Sequence, residues 1–196
     1  MTDDDPYGRI ENPHVRRGAE AVRRIDPKGV RTIIDAGCGT GQVTALLLEH
    51  LPDAYVIALD NSRPSLADAA ARLSVAVATG RVELVHADLN ERLPFDIPVD
   101  AIFSTATFQW VADHDRLFGN LARVLAPGGQ LVAQCGGAGE TWAGGTHFAT
   151  VEDTRRRLTD AGFVDIDVWL GEPPTDPKID YVRLNIVARR SSDLFG

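Results

Sequence analysis

The stretch Thr32-Ile33-Ile34-Asp35-Ala36-Gly37-Cys38-Gly39-Thr40-Gly41, running straight into Gln42-Val43-Thr44-Ala45-Leu46-Leu47-Leu48, constrains this chain more than any other. A short β-branched run feeds a glycine loop, and the loop opens directly into an amphipathic helix. Glycines let a backbone turn sharply and approach a ligand, and a helix N-terminus presents N–H groups that have no partner within the helix. A strand–glycine loop–helix unit of this kind belongs to nucleotide-type sites on parallel α/β sheets.

The rest of the chain repeats the pattern. Asn12-Pro13 predicts a helix start, with Val15, Ala19, Val22 and Ile25 at helical spacing until Pro27 and Gly29 stop it. Strands are predicted over residues 32–36, 54–59, 82–87, 100–106 and 130–135. Between them fall a helix burying Val43, Leu46, Leu47 and Leu51, one from Pro64 through Leu73, and one over 113–126 that Pro127-Gly128-Gly129 ends. Thr150 and Asp153 resemble a capping box for a helix closing at Gly162, and residues 163–170 and 181–188 read as an antiparallel pair. The alternation predicts a three-layer αβα fold of the α/β class. Its sheet is doubly wound and mostly parallel, with an antiparallel C-terminal hairpin strand. A chain of 196 residues reads as one domain, with an N-terminal segment and helix (1–29), a cofactor-binding core (30–136) and a C-terminal helix and β-hairpin (137–196).

Charge and composition exclude several function classes. No run of eighteen apolar residues occurs, and the acidic start Met1-Thr2-Asp3-Asp4-Asp5 is the opposite of a signal peptide, so the expectation is a cytoplasmic protein without a membrane partner. A net charge of −8 argues against a nucleic-acid footprint, and the arginine pairs sit beside carboxylates as solvated faces do. Cys38 and Cys135 lack metal-ligand spacing, which leaves reduced thiols and no metal site.

Ligands on such sheets bind beyond the carboxyl ends of the strands, where Asp35, Asp60, Asp88 and Ser104 all fall. A dinucleotide loop, Gly-x-Gly-x-x-Gly, cradles a pyrophosphate. Here the spacing is Gly37-x-Gly39-x-Gly41, and a carboxylate at Asp35 would repel phosphate but pair with an ammonium group. S-adenosylmethionine carries an ammonium and a sulfonium and no phosphate. Asp60, nineteen residues after Gly41, suits the ribose hydroxyls of either cofactor, and Asp88-Leu89 suits an adenine amino group and ring.

Asp35 to Gly41, with Asp60, Ala87-Asp88-Leu89 and Leu125-Ala126-Pro127-Gly128-Gly129, resembles the Rossmann-like S-adenosylmethionine-dependent methyltransferases. Within them, Phe103-Ser104-Thr105-Ala106-Thr107-Phe108-Gln109-Trp110-Val111, with Asp113-His114, is similar to the trans-aconitate methyltransferase-like group, as is Tyr7-Gly8-Arg9-Ile10. The resemblance implies S-adenosyl-L-methionine as cofactor and S-adenosyl-L-homocysteine as product, on a sheet of about seven strands. It puts Gly37, Gly39 and Gly41 along the methionine end, Asp35 on its amino group, Asp60 on the ribose, Asp88 and Leu89 on the adenine, and Ser104 close to the methionine. Cys38 and Asn61 complete the implied cofactor set.

The chain also departs from that family. Elements that build an acceptor pocket are replaced by the glycine-rich run 136–147 and the proline-rich link 173–178, so the cap is expected to be reduced. The expected activity is in-line methyl transfer to a small-molecule acceptor, a carboxylate above others. The alternatives are a capless core that binds cofactor without turnover, and a nicotinamide dehydrogenase. His147 and Trp110 are the candidate catalytic residues, each against a bland reading as a loop residue or as packing. Phe108 shares Trp110's two readings, as a site wall or as core. Tyr7 and Arg9 read as closing over the cofactor or as a loose terminus, and Trp142 as a substrate-loop anchor or an exposed loop residue. His114 reads as a helix-start or surface residue before a general base. An open acceptor face predicts self-association as a homodimer. Strand four lacks the Asn/Asp-Pro-Pro-aromatic run of methylases acting on nucleic-acid bases.

Overall fold

A computed structural model describes residues 13–95, 97–137, 150–172 and 182–192. The order is α1 (Pro13–Val22), β1 (Thr32–Ala36), α2 (Gln42–His50), β2 (Tyr55–Asp60), α3 (Arg63–Arg72), α4 (Ser74–Ala78), β3 (Val82–His86) and β4 (Val99–Thr105). A 3-10 turn over Phe108–Trp110 follows, then α5 (His114–Val124), β5 (Leu125–Gly136), α6 (Val151–Asp160), β6 (Phe163–Leu170) and β7 (Arg183–Arg190). The strands form one sheet in the order β3-β2-β1-β4-β5-β7-β6, and β7 runs antiparallel to both of its neighbours. The chain winds outward from β1 to β3 and then crosses back to β4. Strand order therefore reverses between β1 and β4, and a ligand crevice opens at their carboxyl ends.

Period-two alternation divides the core. On one side of the sheet Ile33, Val56, Phe103 and Val132 pack under α1, α2 and α3 with Ala19, Leu47 and Ala69. On the other, Ile34, Ile57, Ile102 and Leu131 pack under α5 and α6 with Leu117, Leu121 and Leu158. Strands buried on both faces read as near-continuous apolar runs, as these do. Asp35 shares the face of Ile33 and so points beneath α2.

Helix starts follow their caps. Asp113 accepts from Arg116 N–H at 2.9 Å to open α5, and Thr150 accepts from Asp153 N–H at 3.1 Å to open α6. Two features depart most from the sequence reading. Helix α5 ends at Val124, because Leu125 and Ala126 already belong to β5, where Leu125 pairs with Val99. Pro127 disfavours helix at the residue before it, and the ladder shifts register as Pro127-Gly128-Gly129 loop out before Gln130 pairs with Ala101. Helix α4 was not anticipated, since none of its residues is buried and no apolar face announces it. The terminal hairpin adds the antiparallel edge that the sequence predicts, with β7 inserted between β5 and β6 and β6 left outermost. Along that edge Asp165 takes a φ of 50° and the register shifts between Val164 and Asp167, a bulge with carboxylates that discourages a further strand.

Candidate functional site

The glycine loop folds back over the end of β2: the N–H groups of Gly37 and Cys38 both donate to Leu59 O at 2.9 Å. Gly37 has a φ of 86°, and a Cβ there would stand 2.2 Å from Thr107 Oγ1, so both backbone and space demand glycine. Thr107 Oγ1 lies 3.3 Å from Gly37 O and 3.0 Å from Thr105 O, sharing one hydrogen between the two loops. Gly39 N–H donates to Asp60 Oδ2 at 2.9 Å, and Ser62 N–H to Asp60 Oδ1 at 2.8 Å, so the Asp60 carboxylate is fixed by backbone on both oxygens. Arg72 Nε holds the outer loop through Thr40 O at 3.0 Å.

Asp35 lies at the base of this arrangement and is 1% exposed. Its Oδ2 accepts from Thr44 Oγ1, one turn into α2, at 2.7 Å. Its Oδ1 is buried and has no hydrogen-bond partner among the described residues. Burial, partly offset by the Thr44 bond and reinforced by the nearby charge of Asp60, pushes the carboxyl up from 3.8 to about 7. A buried carboxylate oxygen without a donor is costly unless a cationic or hydrogen-bonding ligand completes it.

A crevice of about 400 Å³ opens above, within the size range of small-molecule sites. Its walls take Asp35, Gly37, Cys38 and Gly39 from the loop, Asp60 and Asn61 from the end of β2, and Asp88 and Leu89 after β3. Trp110, 51% exposed, stands on the far wall with Thr105, Ala106, Thr107 and Val111. Asp88 Oδ1 accepts from Asn90 N and Nδ2, both at 2.8 Å, and Leu89 is buried beside it. No lysine or arginine lines the crevice among the described residues, while three carboxylates do. That wall suits an ammonium-bearing nucleoside and opposes a pyrophosphate.

Two residues expected in the site stand off the crevice wall. Gly41 opens α2 with a φ of 76°, and a Cβ there would meet Leu73 Cδ1 at 2.9 Å, so its bareness serves the packing of α2 on α3. Ser104 is buried and donates to Ala36 O at 2.7 Å, tying β4 to β1. Phe108 is core, edge-on to Phe118. His114 is a buried residue and not a surface one: its Nε2 lies 3.0 Å from Phe108 O and pins the 3-10 turn, while Asp113 caps the helix. His50 and His86 bond backbone oxygens of Ile25 and Asn61. His147, Tyr7, Arg9 and Trp142 lie outside the described residues. Burial pushes the Cys135 thiol up to about 12, and burial with the charges of Asp35 and Asp60 pushes Cys38 up further, so neither is a thiolate nucleophile near neutrality.

Sequence reasoning missed Val15, Gln42, Val43 and Asn90 on the walls. Val43 and Val15 carry no signal beyond helical periodicity. Gln42, as the first residue of α2, was discoverable from its place at the mouth of the loop. Among the described residues no cluster of three or more His, Cys, Asp or Glu could hold a metal ion, and no helix is long and apolar enough to cross a membrane.

A doubly wound sheet with a glycine loop and carboxylates at its switch point defines a nucleoside-binding α/β protein, and comparisons give the class. Residues 33–129 match the family model described as a methyltransferase domain. The chain is 44% identical over 136 residues to a trans-aconitate 2-methyltransferase of Acidovorax sp. (strain JS42), covering 68% of this chain and 50% of that one. It matches the structure of an S-adenosylmethionine-dependent methyltransferase from Mesorhizobium loti at a TM-score of 0.68 and 28% identity, covering 89% of this chain and 97% of that one. At 19% identity and a TM-score of 0.73 it shares the fold of Haemonchus contortus phosphoethanolamine N-methyltransferase 2 in complex with S-adenosyl-L-methionine, over 89% of this chain and 52% of that one. The chain belongs to the Rossmann-like S-adenosylmethionine-dependent methyltransferases, and S-adenosylmethionine is its cofactor. It spans about half the length of the curated relatives it matches.

Proposed function

We propose that this chain transfers the methyl group of S-adenosylmethionine to a small carboxylic acid, with trans-aconitate, the acceptor named for its relatives, as the first candidate. The observation that carries the reading is Asp35 Oδ1, buried on the crevice wall and without a partner among the described residues, a place that an ammonium group would fill. Asp60, whose oxygens keep lone pairs beyond the two backbone bonds, accepts the ribose hydroxyls, and Asp88 with Leu89 takes the adenine. Gly41 precedes helix α2 at the N-cap position and supplies no side-chain cap, so the first N–H groups of the helix remain available to the ligand's carboxylate.

Bound there, the cofactor supplies a methyl group on a sulfonium, an electrophile that needs no further activation. The protein's part is alignment and exclusion of water, where positioning alone contributes ~7–11 kcal/mol. The carboxyl acceptor is already ionised at neutral pH and needs no general base. Trp110 stands beside the crevice, where an acceptor can lie against it, and His147, outside the described residues, is the acceptor-side candidate that the sequence alone offers. A methyl-transfer screen over di- and tricarboxylic acids, phenols and amines tests the reading. Turnover of an acid with wild-type protein is expected, and turnover confined to phenols or amines contradicts it. The second reading, a core that binds the cofactor without turnover, is favoured by the glycine-rich run 136–147 and the proline-rich link 173–178 in the sequence, and any robust turnover excludes it.

A further inference from the structure

The segment that walls the crevice after β4 is held by a residue with no role in the reading above. Ala106 takes a φ of 56°, a left-handed conformation that costs a non-glycine residue energy and persists only when its surroundings fix it. Its N–H donates to Gln134 O at 2.8 Å, and its carbonyl accepts from Gln109 Nε2 at 2.9 Å. The same Gln109 amide accepts, through Oε1, the N–H of Gly136 at 3.3 Å. One side chain thus ties the turn after β4 to the point where β5 leaves the sheet. Donating to a carbonyl while accepting from an N–H needs a neutral amide; an ionised carboxylate only accepts.

The near side of the same segment is fixed separately, by Thr107 against Gly37. The ledge therefore has two anchors, one on the cofactor loop and one on the exit of β5, with Ala106, Thr107 and Trp110 on the crevice wall. We propose that Gln109 is a positioning residue for the acceptor: it sets the ledge, and with it the Trp110 ring, at the distance where an acceptor oxygen meets the bound methyl donor. This rests on the methyltransferase reading. The Gln109 amide spends its hydrogen bonds on Ala106 and Gly136 and makes none to Asp35, Asp60 or Asp88 among the described residues, so its loss separates acceptor placement from cofactor binding.

The test compares Gln109→Met, of similar length but without either hydrogen bond, with Gln109→Glu, which keeps the acceptor for Gly136 and loses the donor to Ala106. Three quantities are read: affinity for S-adenosylhomocysteine by calorimetry, hydrogen exchange across residues 105–111 and 134–137, and kinetics with trans-aconitate. For Gln109→Met the expected result is faster exchange at Gly136, S-adenosylhomocysteine affinity within about twofold, and an acceptor KM raised about tenfold with a smaller fall in kcat. Gln109→Glu is expected to keep Gly136 protected and to show an intermediate KM. An unchanged acceptor KM overturns the proposal, and so does a loss of cofactor affinity in step with the loss of acceptor affinity. If wild-type protein binds S-adenosylhomocysteine but methylates no acid, the acid-methylation reading alone fails. Exchange then decides for Gln109, with loosening confined to the two tied segments supporting the proposal and unchanged protection overturning it.

Discussion

A carboxyl group sealed beneath a helix, with one oxygen bonded to Thr44 and the other to nothing among the described residues, is the residue on which the site turns. The folded Asp35 titrates at about 7 and the unfolded group near 3.8, so between those values the native state holds a proton that the unfolded chain has released. By linkage, this residue's contribution makes stability fall as pH rises through that window, by roughly 4 kcal/mol in all. Asp35→Asn keeps an acceptor for Thr44 and removes the charge. Urea unfolding of the ligand-free proteins should therefore show the wild type losing ground to the variant between pH 4 and pH 8. A pH-independent difference would show that burial does not govern the group. The sequence was sufficient to suspect Asp35, because it ends a buried strand just before a glycine loop. It held no sign that Thr44, nine residues on, would fold back to take one oxygen and leave the other open.

At the scale of elements, the C-terminal hairpin supports the helix that closes one crevice wall. Arg24, just past α1, donates to Asn185 Oδ1 on β7 at 2.6 Å and lies 4.9 Å from the centre of the Trp169 ring on β6. Asn185 Oδ1 also accepts from Gln134 Nε2 at 2.9 Å. Burial lowers the Arg24 pKa, opposed by Glu20, and the Asn185 oxygen and the ring face compensate for lost water. Asn185→Leu removes an acceptor from the buried Gln134 amide and the half-buried Arg24 guanidinium, and chemical denaturation should register a loss of about 2 kcal/mol. Because Val15 of α1 lines the crevice, cofactor affinity should fall as well; unchanged affinity in the folded variant would show that the hairpin does not hold that wall. Such a tie joins residues 161 apart, and no local pattern announces it. Boundaries were legible where a cap or glycine marks them, as at Asp113, Thr150 and Gly162. They were misplaced at β5, where apolar Leu125 continues a helical spacing that Pro127 forbids.

Across the whole molecule, the donor half of the chemistry is the legible half. Each of its carboxylates stands at the carboxyl end of a strand, and alternating strands and helices fix where those ends converge. Gly41 and Ser104, at the edge of that set, also carry the fold: one lets α2 pack on α3 and the other donates across the strands. The acceptor half depends on how separate loops meet, as Gln109 meets Ala106 and Gly136, and spacing along a chain does not report such meetings. The central claim is that the Asp35 carboxylate receives the ammonium of the cofactor. Calorimetric titration with S-adenosylhomocysteine between pH 5 and pH 8, for wild type and Asp35→Asn, tests it most directly. The predicted result is wild-type affinity that is flat above about pH 7 and weakens toward tenfold per unit below it, with a proton released on binding, while Asp35→Asn binds more weakly at pH 8 and loses this dependence. No binding by folded wild-type protein, or an affinity whose pH dependence is the same with and without Asp35, would contradict it.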